Sequence, residues 1–340
     1  MNKLVKKITA VALSALMVGG IFAGCSAAKD DNGTSADSKT YKIGICQLVT
    51  HDALDAATKG FQDKLNELGE ANGVKFDFDY QNASGDSANC TTIANKFVSS
   101  GYDLILANAT APLQACATAT ASSKIPVVGT SVTDYGTALD IDMEPTGTTG
   151  INVTGTSDLA PLDKQAESIL ALFPDTKKVG AIYCSAEANS LYQVEGVKSA
   201  LEAKGVECDF YPFSDSNDIA AVAKKAASES DVIYIPTDNT AASNGAVIDA
   251  ACTQASVPIV AGEEGIFNNT RAVSTISISY YGLGQKAGEM AYDILVNGKD
   301  PSTMNVQQTD SLSYYYNAEQ AELYKAVIPA DYKAYEAKAE

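Results

Sequence analysis

Tryptophan is absent from the 340 residues, and histidine and arginine occur once each, as His51 and Arg271. A single histidine removes a Ser-His-Asp triad and any histidine-rich metal centre. Neither GxSxG nor GxxxxGK[ST] occurs, so the nucleophile elbow of many hydrolases and the phosphate loop of NTPases are missing too. Basic residues are few: 24 Lys and Arg stand against 42 Asp and Glu, a formal charge of −18. Phosphate backbones need clustered cations, preferably arginine for its bidentate fork, so nucleic acid is excluded as a partner. With 46% hydrophobic and 19% charged residues the chain still has the composition of a folded protein, long enough for two lobes.

One apolar run stands out, at the start. Lys3, Lys6 and Lys7 precede the small and aliphatic stretch Ile8 to Gly24, which ends in Phe22-Ala23-Gly24-Cys25. The run is short and rich in Gly and Ala for a spanning helix and reads as a signal peptide, residues 1–24. It resembles a bacterial lipoprotein signal with Cys25 as the lipidated residue. Residues 25–40 hold no apolar side chain larger than Ala before the first strand and read as a flexible tether. Two or more acyl chains on Cys25 would anchor the protein stably, making a lipid anchor its only membrane contact. Six further cysteines remain, an even number that permits disulfides in an exported protein. Cys46 and Cys184, however, lie in apolar strand-like runs and no CxxC pair occurs, which favours buried free thiols and gives no metal site.

Beyond the tether the chain alternates. Apolar runs start near Lys42, Val74, Asp103 and Ile125, and a second series near Lys178, Val206, Asp231 and Val257, with another at Ala272. This spacing is that of βαβ units, in which a crossover helix joins parallel strands. Between the runs lie amphipathic stretches such as Leu54, Ala57, Phe61, Leu65 and Leu68. The fold class is therefore α/β, with two doubly wound parallel-sheet lobes. The Gly- and Thr-rich stretch Thr146 to Asp158 reads as the passage from one lobe to the other.

In open α/β sheets ligands bind beyond the carboxyl ends of the strands, so the residues following each run are the candidate site. The first lobe offers Thr50 and His51, Asn108 and Thr110, and Ser131 and Thr133. The second offers Ser185, Glu187, Asn189 and Ser190, then Thr237 and Asp238, then Glu263. Hydroxyls and helix N-termini on one wall suit a carboxylate, and acids on the other suit an ammonium group. Together they fit an α-amino acid, although such residues also serve as ordinary helix caps. His51 is either a cleft residue at a strand end or a capping histidine. No catalytic set, metal or cofactor is called for, and the reading is a binder rather than an enzyme.

The motifs Thr50-His51-Asp52-Ala53-Leu54-Asp55, Gln81-Asn82-Ala83, Val153-Thr154-Gly155, Glu187-Ala188-Asn189-Ser190, Pro236-Thr237-Asp238-Asn239 and Tyr280-Tyr281-Gly282-Leu283-Gly284 together resemble substrate-binding lipoproteins of ABC transporters with the type I periplasmic-binding-protein fold. The nearest likeness is to the subgroup associated with tryptophan and other aromatic amino acids. This resemblance implies three hinge crossings, with residues 41–157 plus 281–308 in an N-terminal lobe and 158–280 plus 309–340 in a C-terminal lobe. It also implies a monomer that closes over its ligand and docks on a membrane permease. An aromatic ligand needs an apolar wall, for which Tyr135, Tyr192, Phe267 and Tyr280 are candidates. Sugar or nucleoside binding on the same fold, or a sensing module for a membrane receptor, are the alternatives.

Overall fold

The computed structural model describes residues 39–308 and 312–336. The signal peptide, Cys25 and all but the end of the tether lie outside the described residues, as does the expected third crossing at 309–311.

The first lobe opens with β1 (Thr40–Gln47), α1 (Asp52–Asn72), β2 (Lys75–Asn82), α2 (Ser87–Ser99), β3 (Leu104–Asn108), α3 (Thr110–Thr120), β4 (Val127–Val132), α4 (Tyr135–Leu139) and β5 (Val153–Ser157). The second runs through α5 (Leu162–Leu172), β6 (Lys178–Cys184), α6 (Ala188–Glu202), β7 (Glu207–Phe213), α7 (Ile219–Glu229), β8 (Val232–Ile235), α8 (Asn239–Ser243), α9 (Gly245–Ala255), β9 (Ile259–Ala261), α10 (Glu264–Asn269) and β10 (Ser274–Ser277). Then follow α11 (Tyr280–Leu295), a 3₁₀ turn at Pro301–Thr303, β11 (Gln307–Gln308), β12 (Ser313–Tyr316), α12 (Ala318–Leu323) and β13 (Lys333–Ala334).

The two sheets are ordered β11-β5-β4-β3-β1-β2 and β13-β12-β10-β9-β8-β6-β7. Each contains the same parallel core, with its first strand between its second and third, so the winding direction reverses beside β1 and again beside β6. Among the described strands only the β10–β12 pair is antiparallel. Central strands are buried on both faces, β3 (LILAN) along its whole length, as a parallel sheet covered by helices requires. On one face of the first sheet Phe97 and Cys116 pack with Ile105 and Val127; on the other, Phe61, Leu65, Ala287 and Ile294 pack with Ile43 and Leu106. The six cysteines are free and buried.

Two departures from the sequence reading have plain causes. Val153–Ser157 is a strand and not merely a passage between lobes: its threonines and Ser157 are buried with their hydroxyls paired, Thr154 to the Met304 carbonyl, Thr156 to Thr130 and Ser157 to the Thr133 carbonyl. The stretch Thr240 to Ala255, periodic enough to read as one helix, breaks at Asn244 (φ −121°, ψ 19°). There Gly245 passes so close to Asn269 that a Cβ would lie 2.6 Å from its carbonyl oxygen.

Helix α11 leaves the second sheet and lies along α1 on the first. The two backbones nearly touch: a Cβ on Gly60 would sit 2.1 Å from the Tyr281 carbonyl oxygen, and one on Gly284 2.0 Å from that of Ala57. Because α11 follows β10 of the second sheet, this contact ties the end of that sheet to the first lobe. Replacing Gly284 with Ala must push the helices apart, and we expect a loss of about 1–3 kcal/mol, read from the denaturant midpoint; unchanged stability would show that the helices can separate freely.

Candidate functional site

The carboxyl ends of the two parallel cores face one another. Across the gap His51 Nε2 lies 3.2 Å from Asn239 Oδ1, a hydrogen bond between the lobes. Beside it a cavity of about 310 Å³ is lined by Leu48, Val49 and Ala111 from the first lobe and Cys184, Glu187 and Asn239 from the second.

The second lobe's carboxylates are already engaged. Glu187 accepts from the backbone N–H groups of Asn239 and Thr240 and from both of their side chains, at 2.7–3.0 Å. Asp238 caps α8 by accepting from Ala241 N at 2.7 Å and also takes Cys184 N at 2.6 Å. Glu263 caps α10 through the N–H groups of Gly265 and Ile266, both at 2.5 Å. Asn189 and Ser190 donate to the Thr237 carbonyl. Ser185 is exposed and bonds the Phe213 carbonyl, and Thr50 is exposed and accepts from Asn82. The reading of the three acids as a free wall for an ammonium group is thus revised: helix N-termini, each with unpaired N–H groups, claim them first.

The first lobe differs. Nine buried side-chain polar atoms lack a hydrogen-bond partner among the described residues: five, on Gln165, Ser230, Tyr234, Ser274 and Thr275, lie in the second lobe, and four, His51 Nδ1, Asn108 Oδ1, Thr110 Oγ1 and Ser131 Oγ, lie together at the strand ends of the first. These four belong to the residues that follow or close β1, β3 and β4. Asn108 is held by its amide nitrogen, which donates to the Leu54 carbonyl at 2.8 Å and to Thr58 Oγ1 at 2.9 Å. Backbone strain marks the same place: buried Ala109 and Ser131 have φ of 100° and 54°. Non-glycine residues adopt such values only where the surroundings hold them.

Asp158, the first residue after β5, was not among the residues singled out from sequence. It is 2% exposed, and its oxygens accept from Thr133 Oγ1 at 2.9 Å and Tyr280 OH at 3.0 Å. It therefore ties β4 to the start of α11, joining both described lobe crossings. Burial pushes its carboxyl above the ordinary range, against the two hydroxyls, and no cation pairs with it among the described residues. Burial, and then the nearby Glu187, raise Asp238 as well.

Of the four aromatic candidates, three are assigned elsewhere. Tyr135 fills a notch between Gly129 and Gly155 and bonds the Thr156 carbonyl, Phe267 packs in the second lobe's core against Tyr335, and Tyr280 is bound to Asp158. Tyr192 is half-buried, within electrostatic reach of Asp134 in the other lobe. No group of three or more His, Cys, Asp or Glu is placed to hold a metal among the described residues, and no described helix is long and apolar enough to cross a membrane.

The family model for ABC transporter substrate-binding proteins matches residues 42–336. The chain belongs to this family. Its members are solute-binding proteins rather than enzymes, and they serve ABC transporters outside the cytoplasm. A tyrosine-binding protein of Clostridioides difficile is 34% identical over 92% of this chain and 90% of its own length. A Streptococcus domain solved in complex with L-Trp is 31% identical, covers 86% of this chain and 97% of its own, and superposes with a TM-score of 0.80. A substrate-binding protein with adhesive properties from Clostridium difficile, in its ligand-free, open structure, is 34% identical over 88% of this chain and 100% of its own but superposes with 0.66 only. More distant neighbours, including a leucine-binding protein at 15% identity and 0.59, share the type I periplasmic-binding-protein fold.

Burial pushes the Glu263 carboxyl up to about 7 from its ordinary 4.5. The folded state then binds this proton more tightly than the unfolded chain. Its contribution is complete below pH 4.5 and is lost as pH rises through about 7. Relative to a Glu263→Gln variant, the wild type should lose stability over that window, by at most ~3 kcal/mol. Thermal melts of both proteins across the window would check this; a constant difference would mean that Glu263 titrates normally.

Proposed function

We propose that this protein captures an aromatic amino acid in the cleft between its lobes and delivers it to the permease of an ABC importer, held at the membrane by lipid on Cys25 and acting as a monomer. The observation that carries the reading is the grouping, at the strand ends of the first sheet, of four of the nine unpartnered polar atoms among the described residues, at His51, Asn108, Thr110 and Ser131. Buried polar atoms are paired almost without exception, and each one left unpaired costs about 1–3 kcal/mol. A ligand that hydrogen-bonds there removes that cost.

The hydroxyls of Thr110 and Ser131, with the N-terminus of α3 at Thr110, suit the ligand carboxylate. Asp158 suits the ammonium group, because its present donors are neutral hydroxyls and a cation would offset its buried charge. Glu187, Asp238 and Glu263 then shape the second wall by fixing α8 and α10, with Thr133 and Thr237 beside the hinge. Tyrosine and tryptophan are the favoured ligands because relatives of 34% and 31% identity carry them in their names or bound state. The inter-lobe hydrogen bond and the better superposition on the L-Trp complex than on the open, ligand-free protein support a cleft that shuts over its ligand.

Added tyrosine or tryptophan should raise the thermal midpoint, by the equivalent of about 2.7 kcal/mol at a hundredfold excess over Kd. Because the chain has no tryptophan, indole emission from a dialysed sample reports bound ligand directly. Stabilisation by sugars or nucleosides alone would defeat the reading. Asp158→Asn should weaken amino-acid binding on the order of 10- to 100-fold without lowering the stability of the free protein; equal affinity measured by calorimetry would remove Asp158 from the ammonium role.

A further inference from the structure

The lone histidine has its tautomer set by the opposite lobe. Glu187 Oε2 can only accept, so the Asn239 group 2.8 Å away must be the amide Nδ2, which turns Asn239 Oδ1 toward His51. An amide oxygen can only accept as well, so His51 Nε2 carries the proton and donates. Burial disfavours the imidazolium despite Asp52 and Asp55 on α1 and Glu187 across the cleft. In the neutral ring Nδ1 is then a bare acceptor, buried and without a partner among the described residues.

We propose that His51 Nδ1 accepts the side-chain donor of the ligand, the phenol O–H of tyrosine or the indole N–H of tryptophan, and so selects these over phenylalanine. The assignment rests on the amino-acid reading above and deepens it. Three considerations separate the side-chain donor from the ammonium group. A neutral ring nitrogen offers one acceptor and no charge, matching a single neutral donor, whereas an ammonium group brings three donors and a charge that Asp158 suits better. His51 follows β1, while Ser131 closes β4 two strands away in the sheet, about 10 Å at the usual strand spacing. A ligand whose carboxylate meets Ser131 and Thr110 therefore brings its far end, not its ammonium, toward His51. Finally, the two amino acids associated with the relatives both have an aromatic side chain with one hydrogen-bond donor. Phenylalanine would shut Nδ1 away unpaired.

Titration calorimetry with tyrosine, tryptophan and phenylalanine, on the wild type and on His51→Leu, tests the assignment. The wild type should bind the first two on the order of 10- to 100-fold more tightly than phenylalanine, and His51→Leu should bind all three within a few-fold of one another. As the protein has a single histidine, its imidazole ¹⁵N resonances need no assignment by mutation. Nδ1 should shift when tyrosine binds and stay in place when phenylalanine does. A wild type that binds phenylalanine as tightly as tyrosine, an Nδ1 signal unmoved by tyrosine, or a variant weakened equally for all ligands with its preference intact would each overturn the proposal. Binding of none of the three would instead defeat the amino-acid reading itself, and this assignment with it.

Discussion

Parallel strands buried on both faces end by delivering polar groups into the interior, where an unpaired donor or acceptor costs about 1–3 kcal/mol. The two lobes meet this constraint in opposite ways. In the second, carboxylates on the strand-end loops take up helix N-termini: Asp238 and Glu263 cap the helices that follow them, α8 and α10, and Glu187, which precedes α6, reaches across to α8. Those carboxylates are satisfied locally, while Gln165, whose amide donates to the Gly262 carbonyl, keeps its own oxygen buried and unpartnered. In the first lobe the corresponding loops carry Thr, Ser, Asn and His, and four of their atoms stay unpaired. Local hydrogen bonds thus occupy the acids of one wall, and on the proposed reading the open atoms of the other are met by a ligand.

The same division explains where strain is kept. Ala109 and Ser131, both with positive φ, lie in the first lobe's wall beside the unpartnered oxygens of Asn108, Thr110 and Ser131 itself. Holding them needs a rigid frame. That frame is the sheet together with α1 and α11, whose backbones meet at Gly60 and Gly284 with no side chain between them. Since α11 begins at Tyr280, and Tyr280 is hydrogen-bonded to Asp158 after β5, the frame extends into the hinge. The proposed ligand contacts, the strained residues and the lobe crossing are therefore one connected structure.

How much of this could be read from the sequence depended on which physical signal each part emits. Apolar runs and helical periodicity report burial of side chains, and they located the two βαβ series, the free thiols and α11. Strand β5 emits no such signal. Its threonines and serine are buried through hydrogen bonds rather than apolarity, so Val153–Ser157 read as a passage between lobes, and Asp158 was overlooked because the strand it terminates was not seen. Residue type also could not separate a carboxylate facing a ligand from one facing a helix end, since Glu187, Asp238 and Glu263 look alike in sequence and differ only in which N–H groups reach them. His51 was legible as a strand-end residue, but its free nitrogen was not: that depends on Asn239, 188 residues away.

Closure follows from the same accounting of polar atoms. Among the described residues, the hydrogen bond from His51 to Asn239 spans the cleft, and its net contribution of about 1 kcal/mol is modest beside the ordering of two lobes. A ligand shifts such an equilibrium only by the difference in its affinity for the two arrangements. The contacts proposed wholly within the first lobe, at Thr110 and Ser131, would be equally available with the cleft open and would contribute nothing to that difference. What distinguishes the closed state is a contact that exists only when both walls meet, and the His51–Asn239–Glu187 chain has this property. Lobe closure orients the imidazole, and the oriented imidazole presents its acceptor. On the proposed reading, recognition of the ligand's far end and closure of the cleft are two descriptions of one interaction, so a molecule lacking the matching donor would still dock on the first lobe but would hold the cleft shut less firmly.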